Sequence, residues 1–149
     1  GADVNAKDES SWTSLHAAAY FEHEKITKYL LTHRALVNSK SSDGSTPLAL
    51  AALNGSPEVV SLLIGFGAKV DLADSSNLTP LMIASDRGSS SIVSLLVEAG
   101  SNVNIKSLDG MSAMDYARSR GKEEVVSAIE SEMIKNEIKK NKNKHKFSI

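Results

Sequence analysis

Apolar positions along this chain return on two rhythms. Over short stretches they fall at helical spacing, as in Val59, Val60, Leu62 and Leu63 and again in Ile92, Val93, Leu95 and Leu96. Over longer stretches the whole arrangement recurs every 33 residues. Thr13, Thr46, Thr79 and Ser112 form one column at that period, and Leu15, Leu48, Leu81 and Met114 form another two positions on. Ala18, Ala51, Ala84 and Ala117 share a third column, and Leu30, Leu63, Leu96 and Ile129 a fourth. Val4, Val37, Val70 and Val103 close each unit, followed by Asn5, Asn38, Asp71 and Asn104. Chance does not align this many columns at one period, so the chain is built of stacked units.

The cleanest unit runs DGSTPLALAALNGSPEVVSLLIGFGAKVD from Asp43 to Asp71 and predicts two short helices. Thr46 caps the first, and Pro47 takes the first helical position, where its missing N–H costs nothing. Small residues (Ala51 and Ala52; Ala84 and Ser85) allow close approach of a neighbour, and the Gly55, Gly88, Gly121 column ends the helix. The second helix ends at Gly67 or Gly100. Two such helices cannot bury both their faces alone, so the units must stack.

Unit 1 departs most. Ser14 replaces Pro, and Ser11, Glu22 and Arg34 stand in columns where other units carry Gly; in unit 3, Asn77 replaces Gly44. If those positions keep positive φ, each non-Gly residue costs on the order of 1 kcal/mol. Unit 4 reads Ser112-Ala113-Met114-Asp115-Tyr116 and carries Glu130 where a second Leu is expected, the polar outer face of a capping repeat. Val126, Ile129, Met133, Ile134 and Ile138 continue the helical pattern. The last helix is expected to reach about Lys140, and the Lys/Asn-rich Asn141 to Ile149 is expected to be disordered.

The pattern resembles the ankyrin repeat, whose signature T-P-L-H-x-A matches Thr46-Pro47-Leu48 and, with one substitution, Thr13-Ser14-Leu15-His16. The resemblance covers residues 1 to about 131. It implies an all-α solenoid of stacked helix-turn-helix units with β-hairpin-like turns. Residues 1–5, Gly1-Ala2-Asp3-Val4-Asn5, read as the end of an upstream repeat, so the chain is expected to be a fragment of a longer protein. Repeats 1, 2 and 3 then occupy 6–38, 39–71 and 72–104, a C-terminal capping repeat occupies 105–131, and 132–149 form a helical extension and a basic, disordered tail.

Composition narrows the function. The 149 residues fit one domain, and with only 5% aromatics its core is thin and aliphatic. Net charge is −1, but 131–149 hold six Lys against two Glu, which leaves the repeats acidic. The absence of Cys excludes disulfides, thiol nucleophiles and Cys-type zinc sites, and no apolar run approaches 18 residues. His16 fills the H of the repeat signature, where by resemblance its ring bridges backbone groups of adjacent turns; His23 and His33 fall where the family commonly shows His. None has a partner at metal-ligand spacing, no G-x-S-x-G elbow occurs, and Asp86-Arg87 reads as a surface pair rather than a catalytic dyad. The expectation is a non-enzyme without cofactor, metal or small-molecule substrate, monomeric by itself, intracellular, cytoplasmic in the first place and nuclear in the second.

By resemblance, a partner protein binds the concave side, at the residue before each Thr and at the end of each first helix. Those positions read Trp12, Ser45, Leu78 and Met111, then Tyr20-Phe21, Leu53-Asn54, Asp86-Arg87 and Ser119-Arg120; the turns add Glu9, Ser42, Ser75 and Leu108. The sole Trp lies beside Tyr20 and Phe21, with Leu78, Leu108 and Met111 extending an apolar stripe flanked by Arg87, Arg120 and Glu9, the composition of an interface hot spot. The competing reading tucks Phe21 or Tyr20 against a missing upstream repeat, or packs Trp12 across the turn of unit 2. Repeat 2 has bland recognition positions and reads as a spacer. Two alternatives stand beside the interaction module. One is a regulatory or docking domain of a larger enzyme or channel. The other is association of Lys139, Lys140, Lys142, Lys144 and Lys146 with a polyanion, nucleic acid or membrane, which would be nonspecific and salt-dependent. Asn38 and Asn104 also resemble the acceptor pattern of ankyrin asparaginyl hydroxylation, against the simpler reading that Asn here bonds within its turn.

Overall fold

The computed structural model describes residues 2–146, with side chains through 144. The described residues form eight helices and no strand: α1 (Ser14–Tyr20), α2 (Glu24–Thr32), α3 (Pro47–Asn54), α4 (Pro57–Gly65), α5 (Pro80–Arg87), α6 (Ser90–Glu98), α7 (Ala113–Arg120) and α8 (Glu123–Lys146). Each odd-numbered helix pairs with the even-numbered one that follows it. The pairs stack so that α1, α3, α5 and α7 form one row and α2, α4, α6 and α8 the other.

The predicted caps start the first row. The hydroxyls of Thr13, Thr46, Thr79 and Ser112 each accept the backbone N–H three residues on, and Pro47 and Pro80 occupy the first turn. The core lies between the rows and across the units. Leu15, Leu48 and Leu81 from one row meet Val59, Val60, Leu63, Ile92, Val93, Leu96, Val125 and Ile129 from the other, all essentially inaccessible to solvent. The column Ala18, Ala51, Ala84 and Ala117 is as buried, because only a methyl fits where adjacent first helices meet.

The turns are hairpin-like without becoming strands. Each closes on itself, Asp8 N–H to Trp12 O (2.9 Å), Ser41 to Ser45 (2.9 Å), Asp74 to Leu78 (3.1 Å) and Ser107 to Met111 (2.9 Å). One bond then joins each turn to its neighbour: Ser42 N–H to Ser10 O, Ser75 to Asp43 and Leu108 to Ser76, at 2.9 to 3.0 Å. A single rung per junction is too short a ladder for a sheet. A second line of stitching runs along the opposite end of the units, where Asn5, Asn38 and Asp71 accept the N–H groups of Leu36, Lys69 and Asn102 at 2.8 to 3.0 Å.

The left-handed positions keep their conformation whatever residue fills them. Ser11, Glu22, Arg34 and Asn77 have φ between 59° and 69°, beside Gly44 at 80° in the column of Ser11 and Asn77. At Gly44 the demand is double, since a Cβ there would lie 3.0 Å from the Ser75 nitrogen that makes the inter-turn rung.

One expectation is corrected. α8 ends at Lys146, not near Lys140, so residues 141–146 are helical rather than disordered. No Gly or Pro follows Gly121, Lys is a good helix former, and cations near a helix C-terminus complement its dipole. Residues 147–149 lie outside the described residues.

Glu22→Gly and Arg34→Gly should each stabilise the array by about 0.5 kcal/mol, the relief of left-handed strain less the entropy glycine loses on folding. Urea unfolding checks this, and a loss of stability in both variants would show that these backbones are unstrained.

Candidate partner-binding groove

The turns and the first helices together shape a groove. Trp12 closes its turn, with its carbonyl accepting the Asp8 N–H and its own N–H given to Asp8 Oδ1 at 2.9 Å. That places the indole at the entry of α1, where helical spacing sets it over His16 (ring centroids 6.1 Å, stacked) and against Tyr20 (5.6 Å, edge-on). Tyr20 meets Phe21 edge-on at 5.0 Å, and Phe21 is 58% exposed.

From this aromatic corner a groove of about 460 Å³ runs across units 1 to 3, over Tyr20, Ala49, Leu50, Leu53, Leu78 and Ile83, with Asp43, Ser45 and Asp74 on the turn side. A second hollow of about 150 Å³ shares Leu53, Leu78 and Ile83 with it and extends to Met82, Asp86, Arg87 and Tyr116. The two form one apolar trough along the row of first helices.

Of the residues singled out in the sequence, Trp12, Tyr20, Leu78, Asp86 and Arg87 line this trough. Phe21 flanks it. Met111 is half-buried on the unit 4 turn, and Leu108, 75% exposed, stands at that turn's tip; neither is among the lining residues. Arg120 serves another purpose, donating to Asp86 across the unit boundary at 2.9 Å. Arg87 Nε donates to Leu53 O at 2.9 Å, and Asn54 Nδ2 to Tyr20 O, so the ends of the first helices are tied together in a chain of bonds 34 residues apart. Lys139, Lys140, Lys142 and Lys144 are exposed along α8, away from the trough, and the side chain of Lys146 lies outside the described residues.

Sequence reasoning missed the floor. Leu50, Ile83 and Tyr116, with Ala17, are themselves a 33-residue column, and that alignment is the signal that would have found them. Leu53, read as bland, lines both hollows.

His16 beneath the indole is fully buried. Its Nδ1 accepts the Thr13 N–H (3.1 Å), and its Nε2–H donates to Ser45 O (2.9 Å), which fixes the neutral tautomer and joins turn 1 to turn 2. Burial lowers its pKa from the usual 6.5, more than the bond to Ser45 raises it. Asn38 bonds to the next unit rather than within its own turn, giving Nδ2–H to Gly67 O at 3.4 Å and taking the Lys69 N–H. Among the described residues no group of His, Asp or Glu is placed to hold a metal ion, and no helix is long and apolar enough to cross a membrane.

A protein-family profile described as Ankyrin repeats (3 copies) matches residues 1–74 and 54–143. No curated protein matches the chain.

A His whose pKa is depressed in the folded state contributes stability that is complete above the unfolded value of about 6.5 and is lost as pH falls toward the folded value. His16→Ala should therefore cost about 2 kcal/mol at neutral pH, by leaving Ser45 O and Thr13 N–H unmet. The gap between wild type and variant should narrow as pH drops below 6.5. Urea titrations at a series of pH values check both, and a gap independent of pH would remove His16 as the titrating group.

Proposed function

The chain belongs to the ankyrin-repeat family, and from that membership we propose that it is a protein-recognition module whose partner seats in the trough between Trp12 and Tyr116. Ankyrin repeats mediate protein–protein interaction, and their fold is typically a non-catalytic one. The observation that carries the finer reading is the continuity of the trough. Leu53, Leu78 and Ile83 line both hollows, and so link the aromatic corner of unit 1 to Tyr116 of unit 4. Large aromatic side chains at one end of a preformed hollow are the usual anchors of binding energy. The backbone beneath them is already bonded from turn to turn, so binding orders little of the chain.

The sequence left Trp12 open between interface and packing, and its surroundings favour both at once. One face of the cluster packs on His16 and Tyr20, while Trp12 remains half-buried at the rim of the groove. Such a residue can anchor a partner without being the keystone of the array. Leu53, 37% exposed and shared by both hollows, belongs to repeat 2, so on this reading the repeat that looked like a spacer contributes the middle of the site.

Trp12→Ala should weaken capture of a natural partner by about 2 kcal/mol, and Leu53→Asp should do the same or more by placing a charge in the trough. Circular dichroism of both variants should retain the wild-type helical signal. Affinity purification beside wild type, read by mass spectrometry and then by titration, checks the effect; full retention of every partner by both variants would count against the trough.

A further inference from the structure

The charged groups along the trough are unevenly placed. Asp43 and Asp74 stand on its turn side and Asp86 on the side of the helix ends, while the one cation of the lining is Arg87. Arg87 lines only the second hollow, and its Nε donates to Leu53 O, a neutral acceptor that leaves its charge in place. Asp86 is paired with an opposite charge, Arg120. The two turn carboxylates differ from these. Asp74 takes the N–H groups of Ser76 and Leu78 on the same oxygen, Oδ1, at 2.9 Å. Asp43 uses Oδ1 alike, for the hydroxyl of Ser41 and the N–H of Ser45. Neutral donors satisfy these oxygens without cancelling the charge. The bonds from Ser41 and Ser45 also hold the Asp43 carboxyl below the usual carboxylate range, so it stays ionised.

The lysines of the turns do not neutralise this wall. Lys7 and Lys40 turn their ammonium groups along the stack, to Lys40 O (3.4 Å) and Ala73 O (3.2 Å), and neither lines the trough. The repeats as a whole are acidic, because the excess of Lys sits in 131–149. In the larger hollow, where Asp43 and Asp74 are the charged residues of the lining, the near charge thus has the sign of the repeats as a whole, and it bears on an apolar floor.

We infer that the trough takes a segment of a partner protein in which apolar side chains alternate with Lys or Arg, the apolar groups covering Leu50, Leu53 and Ile83 and the cations meeting Asp43 and Asp74. This rests on the reading of the trough as a protein-binding site and names the chemistry of what enters it. Acidic and uncharged segments are the competing occupants. An acidic one would desolvate two carboxylates against its own charge, and an uncharged one would leave them unpaired beside an apolar contact.

Trp12 is the only tryptophan of the chain, so its emission reports occupancy directly. Three Trp-free synthetic peptides share one pattern of Leu and Ala and differ only in carrying Lys, Gln or Glu between them. At low salt the Lys peptide should bind about tenfold more tightly than the Gln peptide, with the Glu peptide weakest, and the advantage should shrink to about twofold near 0.5 M salt. In the double variant Asp43→Asn/Asp74→Asn the side-chain oxygens still accept the turn N–H groups, so the turns should hold while the Lys peptide's advantage falls to about twofold at low salt. Equal binding of the Gln peptide, tighter binding of the Glu peptide, an undiminished preference in the double variant, or no change in Trp12 emission with any peptide would overturn the inference. A Gln peptide that binds as well as the Lys peptide and is lost with Leu53→Asp would leave the protein-binding reading standing and remove only its charge preference.

Discussion

One backbone bond per junction, given by Ser42 to Ser10, by Ser75 to Asp43 and by Leu108 to Ser76, sets the register in which every unit meets the next. The helices alone could not choose it. They are seven to nine residues long in units 1 to 3, too short to persist by themselves, and their apolar faces are flat enough to slide. The rung fixes the turn, the turn fixes the capped start of the first helix, and the cap fixes which face of that helix enters the core. Because each rung joins positions 32 residues apart in a 33-residue period, every column of the sequence becomes a row on the folded surface. The core is one product of that conversion and the trough is another.

The same register explains what could be read from the residues and what could not. Thr13, Thr46, Thr79 and Ser112 announce their helices because a cap is a local event, settled within three residues. Ser11, Glu22, Arg34 and Asn77 could be placed in left-handed backbone because their columns contain Gly elsewhere, and the conformation belongs to the column rather than to the residue. The destinations of long side chains were not legible in this way. Arg87 and Arg120 look like charges offered to a partner, yet both reach back across a unit boundary, to Leu53 O and to Asp86. Nothing within one period announces a bond that spans 34 residues. Leu50, Ile83 and Tyr116 were overlooked for a related reason. Leu50 is buried and reads as core, while Ile83 and Tyr116 are only half-buried, and the difference arises from how the stack leaves one side of the first helices open.

Composition misled at the other end of the chain. A Lys/Asn-rich run reads as disorder because it cannot bury apolar surface, but a helix already nucleated by its packing against α6 and α7 needs only the absence of a breaker to continue. Propagation is cheap where nucleation is not. The extension separates the basic residues from the acidic repeats along one continuous rod, so the two charge blocks do not cancel on a common face.

Strain and aromatic surface coincide in unit 1. Three of the four non-glycine residues in left-handed backbone, Ser11, Glu22 and Arg34, lie there, and Ser11 immediately precedes Trp12. Glycine at position 11 would ease the backbone, as it does at Gly44 and Gly110, so the turn that presents the indole is held by its neighbours against its own preference. What holds it can be named. Asp8 closes the turn from within at two N–H groups, and His16 binds it to Ser45 of the next unit through a ring that the stacked indole covers. The clamp and the aromatic corner are therefore one piece. In unit 4 the column of His16 carries Asp115, which closes a capping box within its own unit and is exposed. There the local cap forms without an inter-unit bond from that side chain, and no aromatic cluster stands above it. Of the three strained positions of unit 1, Ser11 is thus the one that falls where a large, rigid surface is supported on a short turn.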